Sequence, residues 1–420
     1  MIPIYGILKF TSKSRVMYGN NTHGIEFIEY KQNKKYIVKT KKEYHSDRWA
    51  KINSDNSELI EIIGPTYDYN IELNVLKSIY GLSYRYPDEW KNTIISYPNG
   101  DNTIQAYTVD NISTTDRDDA ISIQNNNNTI TVGIHIIDLV RMFGENYMKY
   151  YEWSKQYVSS AYWNEGMKGI FSDKIGSMIS LTEQNTYPCL SLFLTFDNNI
   201  LVNKRFEQTN VNITKNMTYN NFSDTKDANT LRSISKNDSA EDLIAWCMIQ
   251  YNMYFAMQNN MILRVQESDK PAYYDYTGTH ASFDNIKYTH ATSPIRRFID
   301  FHNMCVYHYP LFPKLNDMEL VHINMRMNEI KEFHKRETIV SLAYMYKDTP
   351  LVVSAYIMRK EEDRYIQLMI GDKRVIVPLN DTYYADEICS MLEENNIYQL
   401  KIFGIHKDGK ATLRLKLVDL

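Results

Sequence analysis

Four aspartates within ten residues, Asp110, Asp116, Asp118 and Asp119, constrain this chain more than any other stretch. A short β-rich run from Ala120 to Ile123 leaves the cluster. An Asn-rich turn follows, and a second apolar run from Ile130 to Ile137 returns. Carboxylates this crowded repel one another, so they are tolerated where solvent spreads them or a cation neutralises them. The spacing alone leaves both readings open: a solvated acidic turn, or a metal site. For a metal, magnesium suits an all-carboxylate set, because it takes hard oxygen ligands and keeps several waters. A calcium loop of the D-x-[DN]-x-[DN]-G kind needs a glycine for its sharp turn, and Ala120 stands there instead.

A second long signature lies about 170 residues further on, where Tyr288 to Asp300 reads YTHATSPIRRFID. Together, VD(x5)DxDDAI with VGIHIID and the later TSPIRR run resemble the ribonuclease II family. The resemblance implies an α+β chain: an RNB-type catalytic domain flanked by an N-terminal cold-shock-like and a C-terminal OB-like β-barrel. The expected divisions are 1–68, 69–345 and 346–420. It implies a metal-dependent 3′-to-5′ exoribonuclease that hydrolyses single-stranded RNA to nucleoside monophosphates, with Mg2+, or Mn2+ in its place. Asp110, Asp116, Asp118 and Asp119 are the expected metal ligands, with Asp118 also central to the chemical step. Arg296 is expected to clamp the scissile phosphate, with Arg297 and Arg264 as further substrate contacts. Tyr162, in SSAYWNE, matches a tyrosine that stacks on the 3′-terminal base, although Trp163-Asn164 replaces the family's Leu-Pro. Asp300 is expected to hold the arginines in place.

Three further departures from the family pattern bear on activity. Tyr187 occupies the arginine position of a strand, Gln266 replaces a histidine after Arg264, and Ala245-Trp246 stand where a helix glutamate is expected. Glu241 sits one turn earlier on that segment. The lost helix glutamate, Tyr187 and the altered sequence after Tyr162 support an alternative: a weakened family member that binds RNA without cutting it. An unrelated metal phosphoesterase would need histidines beside the aspartates. Only His135 is near, on a strand, where it reads as a packed residue.

Local patterns organise the rest. Residues 1–62 alternate in short bursts separated by polar turns, as in a small barrel or sandwich. Residues 1–51 carry 11 Lys/Arg against 4 Asp/Glu, about +7 within a chain of net charge −4. Lys9, Lys13, Arg15, Tyr18, Tyr36, Lys39 and Tyr44 mix cations with rings, which suits a surface that tracks phosphates and stacks bases. A solvated charged face on a β domain reads the same way. Apolar spacing predicts helices at 69–80 and 239–260, with a Ser239–Asp242 cap and Pro294 as the first residue of another helix, and the segment 318–346 resembles the family's closing charged helix. Short strands resume over 350–420. No apolar run reaches membrane-spanning length and the N-terminus lacks a signal-peptide pattern, so a cytoplasmic location is expected; the chain is also expected to be a monomer. Cys189, Cys247, Cys305 and Cys389 are scattered and read as small buried residues.

Overall fold

The computed structural model describes the chain apart from residues 1–2, 13–15, 19–21, 96, 98–102, 127–128, 165, 269, 362–364, 372, 379–390 and 419–420. Lys13, Arg15 and Cys389 lie outside the described residues, as does the Tyr18 side chain. Two compact units emerge. One comprises Met1–Tyr84, Ala161–Met167 and Glu329–Leu420; the other comprises Arg85–Ser160 and Lys168–Asn328.

The first unit opens with β1 (Pro3–Leu8), β2 (Val16–Tyr18), β3 (Thr22–Glu29), β4 (Lys35–Thr40), β5 (Arg48–Asn53) and β6 (Leu59–Pro65). They pair in the order β2-β3-β1-β5-β6, with β4 on the β3 edge, and no hydrogen-bonded ladder closes the sheet among the described residues. Helix α1 (Tyr69–Ile79) follows, where the apolar spacing places it. The Asp68 carboxylate caps its first turn by accepting from Ile71 N–H, and Gly81, at φ +64°, turns the chain away.

The second unit is built round a closed barrel of β7 (Ile104–Asp110), β8 (Asp119–Asn126), β9 (Thr129–Ile137), β12 (Thr186–Asp197) and β13 (Ile200–Thr218). β9 pairs with β12 and β13 runs parallel to β7, which closes the ring. Between β9 and β12 come α2 (Leu139–Phe143), α3 (Tyr147–Tyr157) and α4 (Asp173–Ile179), with the short strands β10 (Ala161–Trp163) and β11 (Gly166–Lys168) between α3 and α4 falling mostly in the first unit. β12 is buried on almost every residue, because the barrel core covers one face and packed elements cover the other. After β13 come α5 (Tyr219–Ser223), α6 (Lys226–Ser235) and α7 (Ala240–Phe255), then β14 (Leu263–Val265) and β15 (Tyr273–Asp275), and α8 (Phe298–His308). The Ser239 hydroxyl accepts from Asp242 N–H at 3.0 Å and caps α7 as expected.

Helix α9 (Asp317–Met345) returns the chain to the first unit, which ends in β16 (Leu351–Glu361), β17 (Tyr365–Ile370), β18 (Lys373–Pro378), β19 (Ile397–Lys407) and β20 (Lys410–Leu417). Their order is β18-β17-β16-β19-β20, again with no closing ladder among the described residues. Where two flanking barrels are expected, the described residues form two antiparallel sheets that no ladder closes. Within this unit the fully buried Glu72 accepts from Ala411 N–H at 3.1 Å and from the Tyr344 hydroxyl at 3.2 Å, with Arg336 3.6 Å away. A buried carboxylate needs such partners. A Cβ on Gly404 would lie 1.7 Å from the Ala343 carbonyl oxygen, so only glycine allows β19 to approach the end of α9. Among the described residues no helix is long and apolar enough to cross a membrane.

Candidate active site

The acidic turn sits at one mouth of the barrel because β7 ends at Asp110 and β8 begins at Asp119. Asp110 faces Thr218 at the end of β13, and Asp119 pairs with Ile136 near the end of β9. Eight residues link the two strands, so all four aspartates gather at this end. The Asp118 carbonyl accepts from Ile137 N–H at 2.9 Å, and the Arg117 peptide is held by Ser180 and Leu181. These bonds hold the turn against the charge it carries.

Asp118 is the most enclosed of the four, at 4% exposure. Its Oδ1 accepts a 2.7 Å hydrogen bond from Ile295 N–H, and its Oδ2 lies 4.0 Å from Arg296 Nε. The two signatures recognised in the sequence therefore meet in one place. Burial pushes the Asp118 carboxyl well above its ordinary range, against the pull of Arg296 and the Ile295 N–H. Burial and then the Asp110 charge push Asp119 up to about 7. Burial also raises Asp110, while the Arg117 guanidinium and the Thr108 hydroxyl oppose it. Tyr219, at the start of α5, has its hydroxyl pushed up by burial and then by the charges of Asp119, Asp110 and Glu241. Glu241 lies in the first turn of α7, which packs against α5. Nothing in the sequence patterns singled out Tyr219 or Arg117.

Ser293 to Arg297 departs from the helix expected at Pro294. Pro294 opens a turn in which Arg296 N–H and Arg297 N–H both donate to the Ser293 carbonyl. Helix α8 starts only at Phe298. Arg297 is extended because it bridges to Ser159, and Phe298 N–H donates to the Val158 carbonyl. The two arginines consequently point to different partners. Arg297 is mostly buried and donates to Asp300 Oδ1 at 2.7 Å, and Ser293 N–H donates to the same oxygen. Arg296 stays 40% exposed beside Asp118. Asp300 thus fixes Arg297, whereas Asp118 faces Arg296. Arg264, on β14, is buried with its guanidinium 4.7 Å from the Tyr274 ring centre.

The remaining expected residues are placed as follows. Tyr162 lies on β10 in the first unit; its N–H donates to His334 Nε2 at 3.1 Å, and Asn164 N–H donates to Glu337 at 3.3 Å. Tyr187 is buried, hydrogen-bonded to Thr182 and edge-on to Tyr97. Trp246 packs against Phe196. His135 is a packed histidine, held between Ser122 and Ser191 at 2.9 and 2.7 Å. Cys189, Cys247 and Cys305 are buried and unbridged.

The donors at the mouth are hard oxygens, as a magnesium site requires. Asp110 Oδ2 is a buried oxygen with no hydrogen-bond partner, an orphan that a cation would satisfy. Among the described residues, no three His, Cys, Asp or Glu side chains converge closely enough to form a finished cage.

A family profile for the RNB domain matches residues 101–254, from just before β7 into the last turn of α7. No curated protein matches the chain. The fold is similar to that of Mycoplasma genitalium RNase R solved with ribose-methylated single-stranded RNA. There the TM-score is 0.72 at 12% identity, covering 99% of this chain and 90% of that one. The apo form of the same enzyme gives 0.73 at 13% identity over 98% and 89%. Yeast Ssd1, a pseudonuclease, gives 0.69 at 9% identity over 99% and 83%. At these identities the likeness establishes a shared fold.

Proposed function

We infer that this chain, an RNB-domain protein related to RNase R and RNase II, is an exoribonuclease that hydrolyses single-stranded RNA from its 3′ end to nucleoside monophosphates. The observation that carries this reading is the meeting of Asp118 with Ile295 N–H and Arg296 at the barrel mouth. It sets an acidic cluster and an exposed guanidinium side by side, as hydrolysis of a phosphodiester requires. Water attacks phosphorus, the P–O3′ bond breaks, the shortened strand keeps a 3′ hydroxyl, and the released nucleotide keeps its 5′ phosphate.

Asp110, Asp116, Asp118 and Asp119 are the residues that would hold Mg2+ or Mn2+, and the orphaned Asp110 Oδ2 favours this. Such an ion supplies an activated water and neutralises charge on the phosphate oxygens. Arg296 binds the phosphate with its free edge and stabilises the charge that grows in the transition state. Arg297 and Arg264, more deeply buried, add positive potential and orient the turn that carries Arg296. Tyr162 acts as a base-stacking residue, and the two terminal sheets act as cold-shock-like and OB-like RNA-binding modules at 1–68 and 346–420.

The second reading is an RNA-binding protein that does not cut. It is favoured by the unfinished ligand cage and by the shared fold with a pseudonuclease. A time course on 5′-labelled RNA, with Mg2+ or with EDTA and with free or blocked 3′ ends, separates the two. The enzyme gives a metal-dependent ladder that shrinks only from a free 3′ end. Retention of RNA with no shortening supports the second reading.

A further inference from the structure

Arg117 stands inside the acidic turn, between Asp116 and Asp118, and none of the roles assigned above uses it. Its peptide is fixed on both sides. Arg117 N–H donates to Ser180 Oγ at 2.9 Å, Leu181 N–H donates to the Arg117 carbonyl at 3.0 Å, and Ser180 Oγ donates to the Thr115 carbonyl at 2.7 Å. With the backbone held in this way, the side chain is aimed at the end of β7. Its Nε lies 3.6 Å from Asp110 Oδ2, and the two side chains are only 21% and 20% exposed.

At that separation the two charges attract, but no hydrogen bond forms. Neither atom has another hydrogen-bond partner, and both are shut off from solvent. A buried donor and a buried acceptor that face each other without bonding are an unfavourable arrangement unless one of them has a second use. Arg296 meets Asp118 in a similar way, at 4.0 Å. Each of these two aspartates therefore has its own guanidinium. Among the described residues, Asp119 has no cation at ion-pair distance.

We propose that Arg117 is a built-in countercation of Asp110, whose guanidinium competes with a divalent ion for that carboxylate. The inference rests on the reading that these aspartates take such an ion. A unit positive charge beside the donor oxygen both occupies it and repels an incoming cation. The mouth can then carry four aspartates without an ion, and metal loads weakly until Arg117 turns aside.

The test is direct binding of Mn2+ to the full chain without RNA, read as loss of the free-ion electron paramagnetic resonance signal. Arg117→Gln and Arg117→Met should each bind Mn2+ about tenfold more tightly than the wild type, a shift of about 1.4 kcal/mol. Arg117→Lys, which keeps a cation there, should stay close to the wild type. Unchanged or weaker binding by both neutral variants, in a wild type that binds Mn2+ and cuts RNA, overturns the proposal while leaving the exoribonuclease reading intact. Absence of Mn2+ binding in every variant, together with absence of cleavage, overturns both.

Discussion

The carboxylate of Asp118 accepts a 2.7 Å hydrogen bond from the backbone of Ile295, 177 residues away, and both groups are buried. Replacing the side chain with alanine leaves the Ile295 N–H buried without a partner. Asp118→Ala should cost about 1–3 kcal/mol of stability. Asp118→Asn keeps an acceptor oxygen and should cost clearly less. Urea denaturation of the two variants tests this. Equal losses would contradict the assigned bond.

Adjacent arginines should behave in opposite ways. Arg297 is the partner of the fully buried Asp300, so Arg297→Ala leaves an uncompensated carboxylate and should cost about 3–5 kcal/mol. Arg296 is 40% exposed and solvent screens its charge, so Arg296→Ala should change stability by less than about 1 kcal/mol. Loss of Arg296 should instead slow cleavage by about 10²–10³-fold, the effect of removing one preorganised donor. Denaturation curves and single-turnover rates on the same preparations test the split.

His135 makes stability depend on pH. Burial pushes its pKa down to about 3, so the fold keeps the ring neutral. The unfolded chain binds a proton there below about 6.5. The unfolded state therefore holds more protons between about 6.5 and 3, and this contribution to stability falls as pH falls, by about 1.4 kcal/mol per pH unit. Asp119, raised to about 7, acts in the opposite direction over part of that range. The clean measurement is thus the stability gap between the wild type and His135→Gln. At pH 7 the variant is weaker, because the Ser122–His135–Ser191 chain is broken. Between pH 6.5 and 4.5 the gap should narrow by about 2–3 kcal/mol. A gap independent of pH would contradict the account.

Tyr162 is tied to its neighbours through its backbone N–H, which donates to His334. Removing the ring should leave that bond in place. Tyr162→Ala should weaken single-stranded RNA binding by about 1–3 kcal/mol, the range for one base–aromatic stack, and Tyr162→Phe should bind like the wild type. Fluorescence anisotropy on a short oligonucleotide tests both. Equal affinity for all three forms would remove the stacking role.

What could be read from the sequence followed from local rules. The span of α1 came from apolar spacing, and the α7 start from Ser239; the Asp68 cap on α1 was not read. The strand–turn–strand around Asp119 was visible because one apolar run leaves the cluster and another returns. The barrel's closure was hidden, since the parallel pairing of β13 with β7 joins residues about a hundred positions apart and leaves no local mark. Pro294 misled because its fixed φ suits a turn as well as a helix, and the Arg297–Ser159 bridge decided between them. The contact of Asp118 with Ile295 is made by a backbone group, so no residue type could announce it. Arg117 and Tyr219 were missed for a related reason. Their positions relative to Asp110 depend on how the turn and the α5 start are anchored, and the residues themselves carry no motif.

The most direct test of the central claim compares the wild type with Asp118→Asn on one 5′-labelled single-stranded RNA in Mg2+, measuring strand shortening and RNA retention together. Shortening from the 3′ end by the wild type, with retention but no shortening by Asp118→Asn, is the result this account predicts. Normal turnover by Asp118→Asn, or no shortening by the wild type, would contradict it.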